Sequence, residues 1–408
     1  MKALRLGAEW DPRTDYSPLP AELENRKAID CSKIWRYPRL DLIDTEVPPL
    51  EPNQVLVKVN ACGVCGSDVH LVETDAEGYT LFSGSAKLPT ILGHEFAGQV
   101  VDIGAGVTDI AVGDLVAAES VLWCGTCLSC RGGRVNQCQN MRMVGFSAAG
   151  AFADFISIPA KHCWKLTSLE SICHGIREVC ELGALIEPIG CAYNGLFVDG
   201  GGFLPGQSVA IYGAGPIGLG AVMLARLAGA SQVIAFDIQD ARCDLARRLG
   251  ADIALNPLSI DIPTSEALAE LTHGRGVDIQ VEAAGAASQT IPEALLSFAD
   301  NGRLIYLGRQ DSSASLDFNP MVSRANHIIG ARGHAGHGVF HQVIRLMASG
   351  RLRPAEMITS RFDFHDVTSA IQRASLKGDG KVMVNIGETG GSGTSRQGSK
   401  SGSRLPPV

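Results

Sequence analysis

The sequence predicts a two-domain α/β protein: a mostly β body of barrel or sandwich type, followed by a doubly wound parallel sheet. Three observations predict it. Between about residues 41 and 164, short β-branched or alternating segments follow one another across glycine-bearing turns. From about residue 208, buried strand patterns alternate with helical ones, as a parallel sheet covered on both faces requires. The 408 residues, 45% of them hydrophobic, suffice for more than one core.

In chain order, residues 11–40 mix arginine, tyrosine, proline and acidic side chains without a period, and read as an irregular excursion between an initial strand and the next. The β pattern then runs through 55–59, 98–103, 114–117 and 152–158. In the second body Ser208–Tyr212 enters a glycine-rich turn, 219–227 has helical periodicity, Gln232–Phe236 is a second buried strand, and 245–249 continues a helix. Strands at Ile253–Leu255, Val277–Glu282 and 302–308 follow. The remainder holds a helix at 340–349 and a strand at 381–386 that could finish either body. Residues 388–408, rich in glycine and serine, read as a disordered tail.

A formal net charge of -8 gives no basic footprint, which argues against a nucleic-acid partner. The first residues hold no apolar run suited to a signal peptide, and no uninterrupted apolar stretch suits a membrane span, so a soluble, cytoplasmic protein is expected. The twelve cysteines are then reduced thiols and metal ligands rather than disulfides.

Cys124, Cys127, Cys130 and Cys138 place four thiols within fifteen residues. The two-residue gaps let neighbouring sulfurs converge, and Gly125, Gly132 and Gly133 supply turns, so a tetrahedral zinc at about 2.3 Å per sulfur is the expected occupant. An iron–sulfur cluster uses similar spacings, but the last gap and the missing proline weaken it; four unligated thiols are the other reading. With four sulfurs the metal has no open position and is structural.

Cys65, and further on His94 and Glu95, offer sulfur, nitrogen and oxygen donors that could hold zinc with one position left for water or substrate. These spacings say less than the cluster does. A single histidine in a turn is more often satisfied by hydrogen bonds, and Cys62 reads as a small buried hydrophobe. Glu187 is a carboxylate in an apolar stretch, where it needs a partner or a metal.

Gly213, Gly215 and Gly218, with Pro216 and Ile217 before the last, follow a strand and open a helix, and Asp237 stands 24 residues after Gly213. Glycine permits the tight turn, the approach of a pyrophosphate and close helix packing, while the helix N-terminus attracts phosphate. Asp237 would accept from the adenosine ribose hydroxyls, favouring NAD over NADP, and Arg242 could reach the adenosine phosphate region.

In this order the motifs resemble the medium-chain, zinc-containing alcohol dehydrogenases, in particular their polyol, threonine and cyclitol branch, over roughly residues 41–386. Cys65-Gly66-Ser67-Asp68-Val69-His70, Gly93-His94-Glu95, the four cysteines, Glu187-Pro188 and 213–218 carry the resemblance. It implies a GroES-like catalytic domain over 1–190 with the zinc lobe at 124–138, an NAD-binding Rossmann domain over 191–338, and a return of 339–387 to the first. It implies Cys65, His94 and Glu95 as ligands of a catalytic zinc, Glu187 near that metal directly or through water, and two zinc ions per chain. Ser67 and His70 match a proton route through the nicotinamide ribose, with Asp68 tying down the metal loop. Arg332 is expected at the cofactor phosphate, Glu282 by the nicotinamide ribose, and His334 and His337 in a loop near the nicotinamide. The segment 73–79 resembles that of a cyclitol dehydrogenase acting on inosose-type compounds. The expected substrate is therefore a small hydroxylated molecule, a cyclitol or polyol oxidised at a secondary alcohol, with Glu73, Glu77, Tyr79, Trp123 and Arg142 as candidate contacts. L-Threonine, a sugar alcohol or a simple secondary alcohol is the alternative, and a non-catalytic NAD-binding protein the second class. A homodimer or homotetramer is implied.

Overall fold

The computed structural model describes residues 1–309 and 313–387; the tail expected to be disordered lies outside them. The strand Gln54–Gly63 is the hub of the first body. It alternates buried Val55, Val57 and Val59 with more open positions, the period of a sheet with one face inward. It pairs antiparallel with Phe155–Pro159, with Glu95–Ile103 and, at its end, with Lys381–Asn385. The sheet runs in the order Cys163–Lys165, Leu115–Ala118, Glu95–Ile103, Gln54–Gly63, Lys381–Asn385, Ile358–Asp363.

The excursion expected over 11–40 is more ordered than its composition suggests. A helix, Pro20–Asn25, and a 3-10 turn, Cys31–Lys33, lead into the strand Trp35–Asp44, which pairs antiparallel with Lys2–Trp10. Trp35 is buried edge-on against Trp10, ring centroids 5.1 Å apart, but the rest of that strand buries almost nothing. An outer ribbon of this kind leaves no hydrophobic period to read.

The second body is a six-stranded, all-parallel sheet in the order Ile253–Leu255, Gln232–Phe236, Ser208–Tyr212, Val277–Glu282, Phe298–Tyr306, His327–Gly330. Strand order reverses between Ser208–Tyr212 and Val277–Glu282, the place where such sheets open a ligand crevice. The last strand is an exposed edge, and its sequence carries no strong strand signal.

The segment beyond residue 338 divides between the bodies. Helix Val339–Ala348 buries Val339, Phe340, Val343, Ile344 and Met347 along one face, in the core shared with Ile186–Tyr193 and Pro216–Leu227. Ile358–Asp363 and Lys381–Asn385 then extend the first sheet. No helix among the described residues is long and apolar enough to cross a membrane.

Candidate functional site

Helix Gly66–Val72 starts just after the hub strand, with Cys65 as its cap residue. Asp68, fully buried in the first turn, binds two backbone groups: Oδ2 accepts from Cys65 N–H at 3.0 Å and Oδ1 from Gly93 N–H at 3.3 Å. The cysteine turn is thereby locked to the turn bearing His94 and Glu95. One ligand atom from each of Cys65, His94 and Glu95 lies within 4.8 Å of the others.

This donor set fits a metal cation. Glu95 is 1% exposed, yet its Oε1 has no hydrogen-bond partner, a costly state that a cation would relieve. Burial pulls the His94 imidazole down, but Asp68 and Cys65 outweigh it and hold the group well above its ordinary value, so the pocket favours positive charge. Sulfur, imidazole and carboxylate together suit zinc.

Lys381, which sequence reasoning missed, reaches this centre from the far end of the chain. Its buried ammonium donates to the Val64 carbonyl at 2.9 Å and to Glu95 Oε2 at 2.5 Å. Burial alone would lower its pKa; Glu95 and Cys65 raise it above the ordinary value. A Cβ on Gly63 would overlap Glu95 Oε2 and lie 3.2 Å from Lys381 Cδ, so glycine is required beside the pair. The one sequence signal was a lysine heading an otherwise apolar strand.

Glu187 stands outside the three-donor group. Its Oε1 instead accepts from Ser120 Oγ at 3.1 Å and lies 3.1 Å from His334 Nε2, while Ser120 Oγ and His334 Nε2 are 2.9 Å apart. Burial would raise the carboxyl, but His334, and less strongly His94 and Lys381, hold it down to about 2. The structure thus puts Glu187 on a serine and a histidine rather than among the donors. Ser67 Oγ lies 3.5 Å from His94 Nε2, and His70 follows on the same short helix.

In the second body Gly213 adopts φ +91, and a side chain there would strike Ala284; one on Gly218 would strike the Gly213 carbonyl. Pro216 opens the helix Pro216–Leu227, followed by Ile217. Asp237 Oδ2 accepts from Ala214 N–H at 2.8 Å and Oδ1 from Gln239 N–H at 2.9 Å, so the carboxylate lies against the glycine turn. Arg242 Nη1 is 3.8 Å from Asp237 Oδ2, and its Nε donates to the Asp379 carbonyl at 2.9 Å. On the same helix, Gly220 packs against Ile189 and Ala192, so the helix after the glycine turn lies on the helix that bears Glu187.

Two residues expected at the cofactor have protein partners of their own. Glu282 is fully buried and accepts from Gly285 N–H, Ala286 N–H and Thr290 Oγ1 at 3.2–3.3 Å, so it closes its own turn. Arg332 reaches Met141 Sδ at 3.3 Å, beside the four-cysteine lobe. The candidate substrate contacts are also partly occupied. Tyr79 is buried beneath the Arg13 guanidinium at 4.0 Å, Glu77 pairs with Arg13 at 2.6 Å, and Trp123 Nε1 donates to Glu119 at 3.0 Å.

The four cysteine sulfurs lie within 4.8 Å of one another, with Cys124–Cys138 at 3.6 Å and Cys127–Cys138 at 4.0 Å. A zinc tetrahedron with bonds of about 2.3 Å has edges of about 3.8 Å, so the set fits the ion. Hydrogen bonds from the Thr126 hydroxyl and backbone, and from Cys127 N–H, lower the Cys124 thiol to about 5.

Residues 51–168 match the family model described as alcohol dehydrogenase GroES-like domain, and residues 216–349 that of zinc-binding dehydrogenase. The chain is 38% identical to a scyllo-inosose 3-dehydrogenase of Thermotoga maritima over 384 residues, 91% of this chain and 96% of that one. It is 34% identical to an L-threonine 3-dehydrogenase of Pyrococcus abyssi, covering 84% and 95% of the two chains. A solved Thermotoga maritima structure assigned as an alcohol dehydrogenase superposes with a TM-score of 0.89 at 37% identity, covering 94% of this chain and 99% of that one.

Proposed function

Because the chain belongs to the zinc-binding, GroES-like alcohol dehydrogenase family, we propose that this zinc-dependent oxidoreductase transfers hydride between a ring secondary alcohol of a cyclitol and NAD. The carrying observation is the donor set of half-buried Cys65 with buried His94 and Glu95, while the helix after the glycine turn packs on the helix that bears Glu187. A zinc ion there supplies Lewis-acid activation of the alcohol, and NAD over 213–218 supplies the hydride acceptor.

The chain's own groups do the rest. Asp68 fixes the relative placement of the cysteine and histidine turns, and Lys381 keeps one oxygen of Glu95 engaged so that the other faces the donor set. Ser67 accepts the hydroxyl proton as it releases its own toward the nicotinamide ribose, and His70, farther along the same helix, takes up the relayed proton and passes it toward solvent. Glu187, held ionised, presents an acceptor to a substrate hydroxyl or a water. A carboxylate has about four acceptor sites, so Asp237 retains capacity for the ribose hydroxyls while opposing the extra phosphate of NADP. The two fitting donor sets support two zinc ions per chain. A homodimer or homotetramer is supported by the open edge His327–Gly330 near exposed Phe318 and Val322, and a cytoplasmic setting by twelve free thiols.

The similarity to an L-threonine dehydrogenase supports L-threonine as a second reading. Absorbance at the NADH band with inositols, sorbitol, L-threonine and short secondary alcohols, each with NAD and NADP, decides between them. A cyclitol with NAD should show the highest kcat/KM. Turnover of L-threonine with none of any inositol would overturn the cyclitol assignment.

A further inference from the structure

Glu187 does not hold its own position. Both groups on its Oε1, Ser120 and His334, are 1% exposed, and each belongs to a segment tied to the four-cysteine lobe. Ser120 precedes the strand Val121–Leu122, whose partner Arg142–Met143 lies just past Cys138 in the chain. His334 sits in the loop 331–338, and that loop lies on the lobe. Asn136, in the turn Val135–Gln137 between Cys130 and Cys138, donates its buried amide to the Arg332 carbonyl at 3.1 Å. The Arg332 guanidinium reaches Met141. Gly336, at φ +85, approaches Val135 so closely that a Cβ would fall 2.5 Å from Val135 Cγ2. From the other side Asn194 donates to the same Arg332 carbonyl at 3.4 Å, and Asp199 accepts from Arg332 N–H at 3.2 Å.

We propose that Asn136 and His334 are positioning residues for Glu187, so that the four-sulfur lobe sets the geometry of the catalytic centre through the loop 331–338. The lobe then does more than stabilise itself. Its turn fixes the Arg332 carbonyl, the loop carries His334 onto Glu187 Oε1, and Ser120 approaches the same oxygen from just before the strand framing the lobe. With Oε1 occupied twice, Glu187 is left one orientation for its other oxygen. A buried polar trio joined by three mutual contacts has few alternative arrangements, so a shift at the lobe reaches the carboxylate as a displacement instead of being absorbed. Outer partners of metal-site residues typically change activity or metal affinity by roughly 10- to 100-fold when removed.

The inference rests on the catalytic-zinc reading, and cobalt spectroscopy separates the two. The full-length chain is prepared with cobalt(II) at the mixed donor site and zinc in the lobe, as wild type, Asn136→Leu, His334→Ala, His334→Gln and the Asn136→Leu/His334→Ala double variant. The cobalt d–d bands and kcat with NAD and a turned-over alcohol are then measured. Wild type without a cobalt band would defeat the catalytic-metal reading itself. With a band present, Asn136→Leu and His334→Ala should each shift it and lower kcat by about 10-fold or more at full metal content. His334→Gln, which keeps a donor, should recover most of the loss. The double variant should lose no more than His334→Ala alone, because both act along one path. Unshifted bands with wild-type kcat in Asn136→Leu, or multiplicative losses in the double variant, would overturn the proposal. If Asn136→Leu fails to fold, Gly336→Ala, which pushes the loop off Val135, takes its place with the same expectations.

Discussion

In the four-cysteine lobe every donor comes from one run of fifteen residues, the sulfurs lean on neighbouring N–H groups, and two of the four are partly exposed. At the mixed centre Cys65 follows one strand, His94 and Glu95 open another, and Lys381 arrives from a third that is more than 280 residues away in sequence. The lobe is shaped by short loops and needs only its ion. The mixed centre is shaped by the sheet, and its groups come from three separate strands. A site can therefore be local or assembled, and the assembled one is tunable because its supports can change singly.

Four substitutions sharpen this contrast, taken from the largest expected effect. His94→Ala should leave the fold intact, lower metal content from two ions to one, and cut kcat/KM by about 10³-fold or more, since Lewis-acid activation is worth several kcal/mol; metal analysis alongside steady-state rates checks it. Lys381→Met leaves a buried carboxylate without its ion-pair partner and should lower stability by about 3–5 kcal/mol. Denaturant unfolding reads that loss, and a Lys381→Met protein as stable as wild type would show the pair to be dispensable.

Cys127→Ser should release the lobe ion and destabilise by a few kcal/mol. By the contrast drawn above, the cobalt site should still load, which a metal count on the folded variant tests.

The smallest effect concerns Asp379, two residues before Lys381. Burial raises its carboxyl, but hydrogen bonds from Ser360 and Thr359 and the Arg373 guanidinium overcome this and lower it. A depressed folded-state pKa adds stability above the ordinary carboxylate value and loses it as pH falls through the folded value. Asp379→Asn should therefore cost about 1 kcal/mol near neutrality and flatten the loss on acidification. Melting curves from pH 7 down to pH 3 give the slope, and an unchanged slope would sink the assignment.

These differences explain what the sequence disclosed. The lobe, the glycine turn and most of the parallel strands were legible because each is encoded within a few neighbouring residues. Ile253–Leu255 and Val277–Glu282 coincide with their expected limits. Cys65, His94 and Glu95 gained weight only through resemblance to a family, because spacing alone does not say which turns will meet. Ser120 carried no usable signal, Lys381 only its place at the head of an apolar strand, and His334 was expected in a loop near the nicotinamide but not against Glu187. A serine between two short strands, a histidine among glycines and a lysine before an apolar run are ordinary in sequence, and their burial against carboxylates is a product of tertiary packing. Glu282 shows the same limit: a carboxylate at the end of a central strand reads as a ligand contact, and its bonds to the turn after it are visible only in the fold.

The pairing of Lys381–Asn385 with Gln54–Gly63 also orders events during synthesis. The first sheet is begun early by the ribosome, but the strand that closes it emerges only after the whole nucleotide-binding sheet has been made. Until then Glu95 has no ammonium beside it and the hub strand has an open flank, which a nascent chain must shelter or leave hydrated. The zinc lobe, whose donors leave the ribosome together, can mature early, whereas the mixed centre gains its ammonium only once Lys381 has emerged, 286 residues after Glu95.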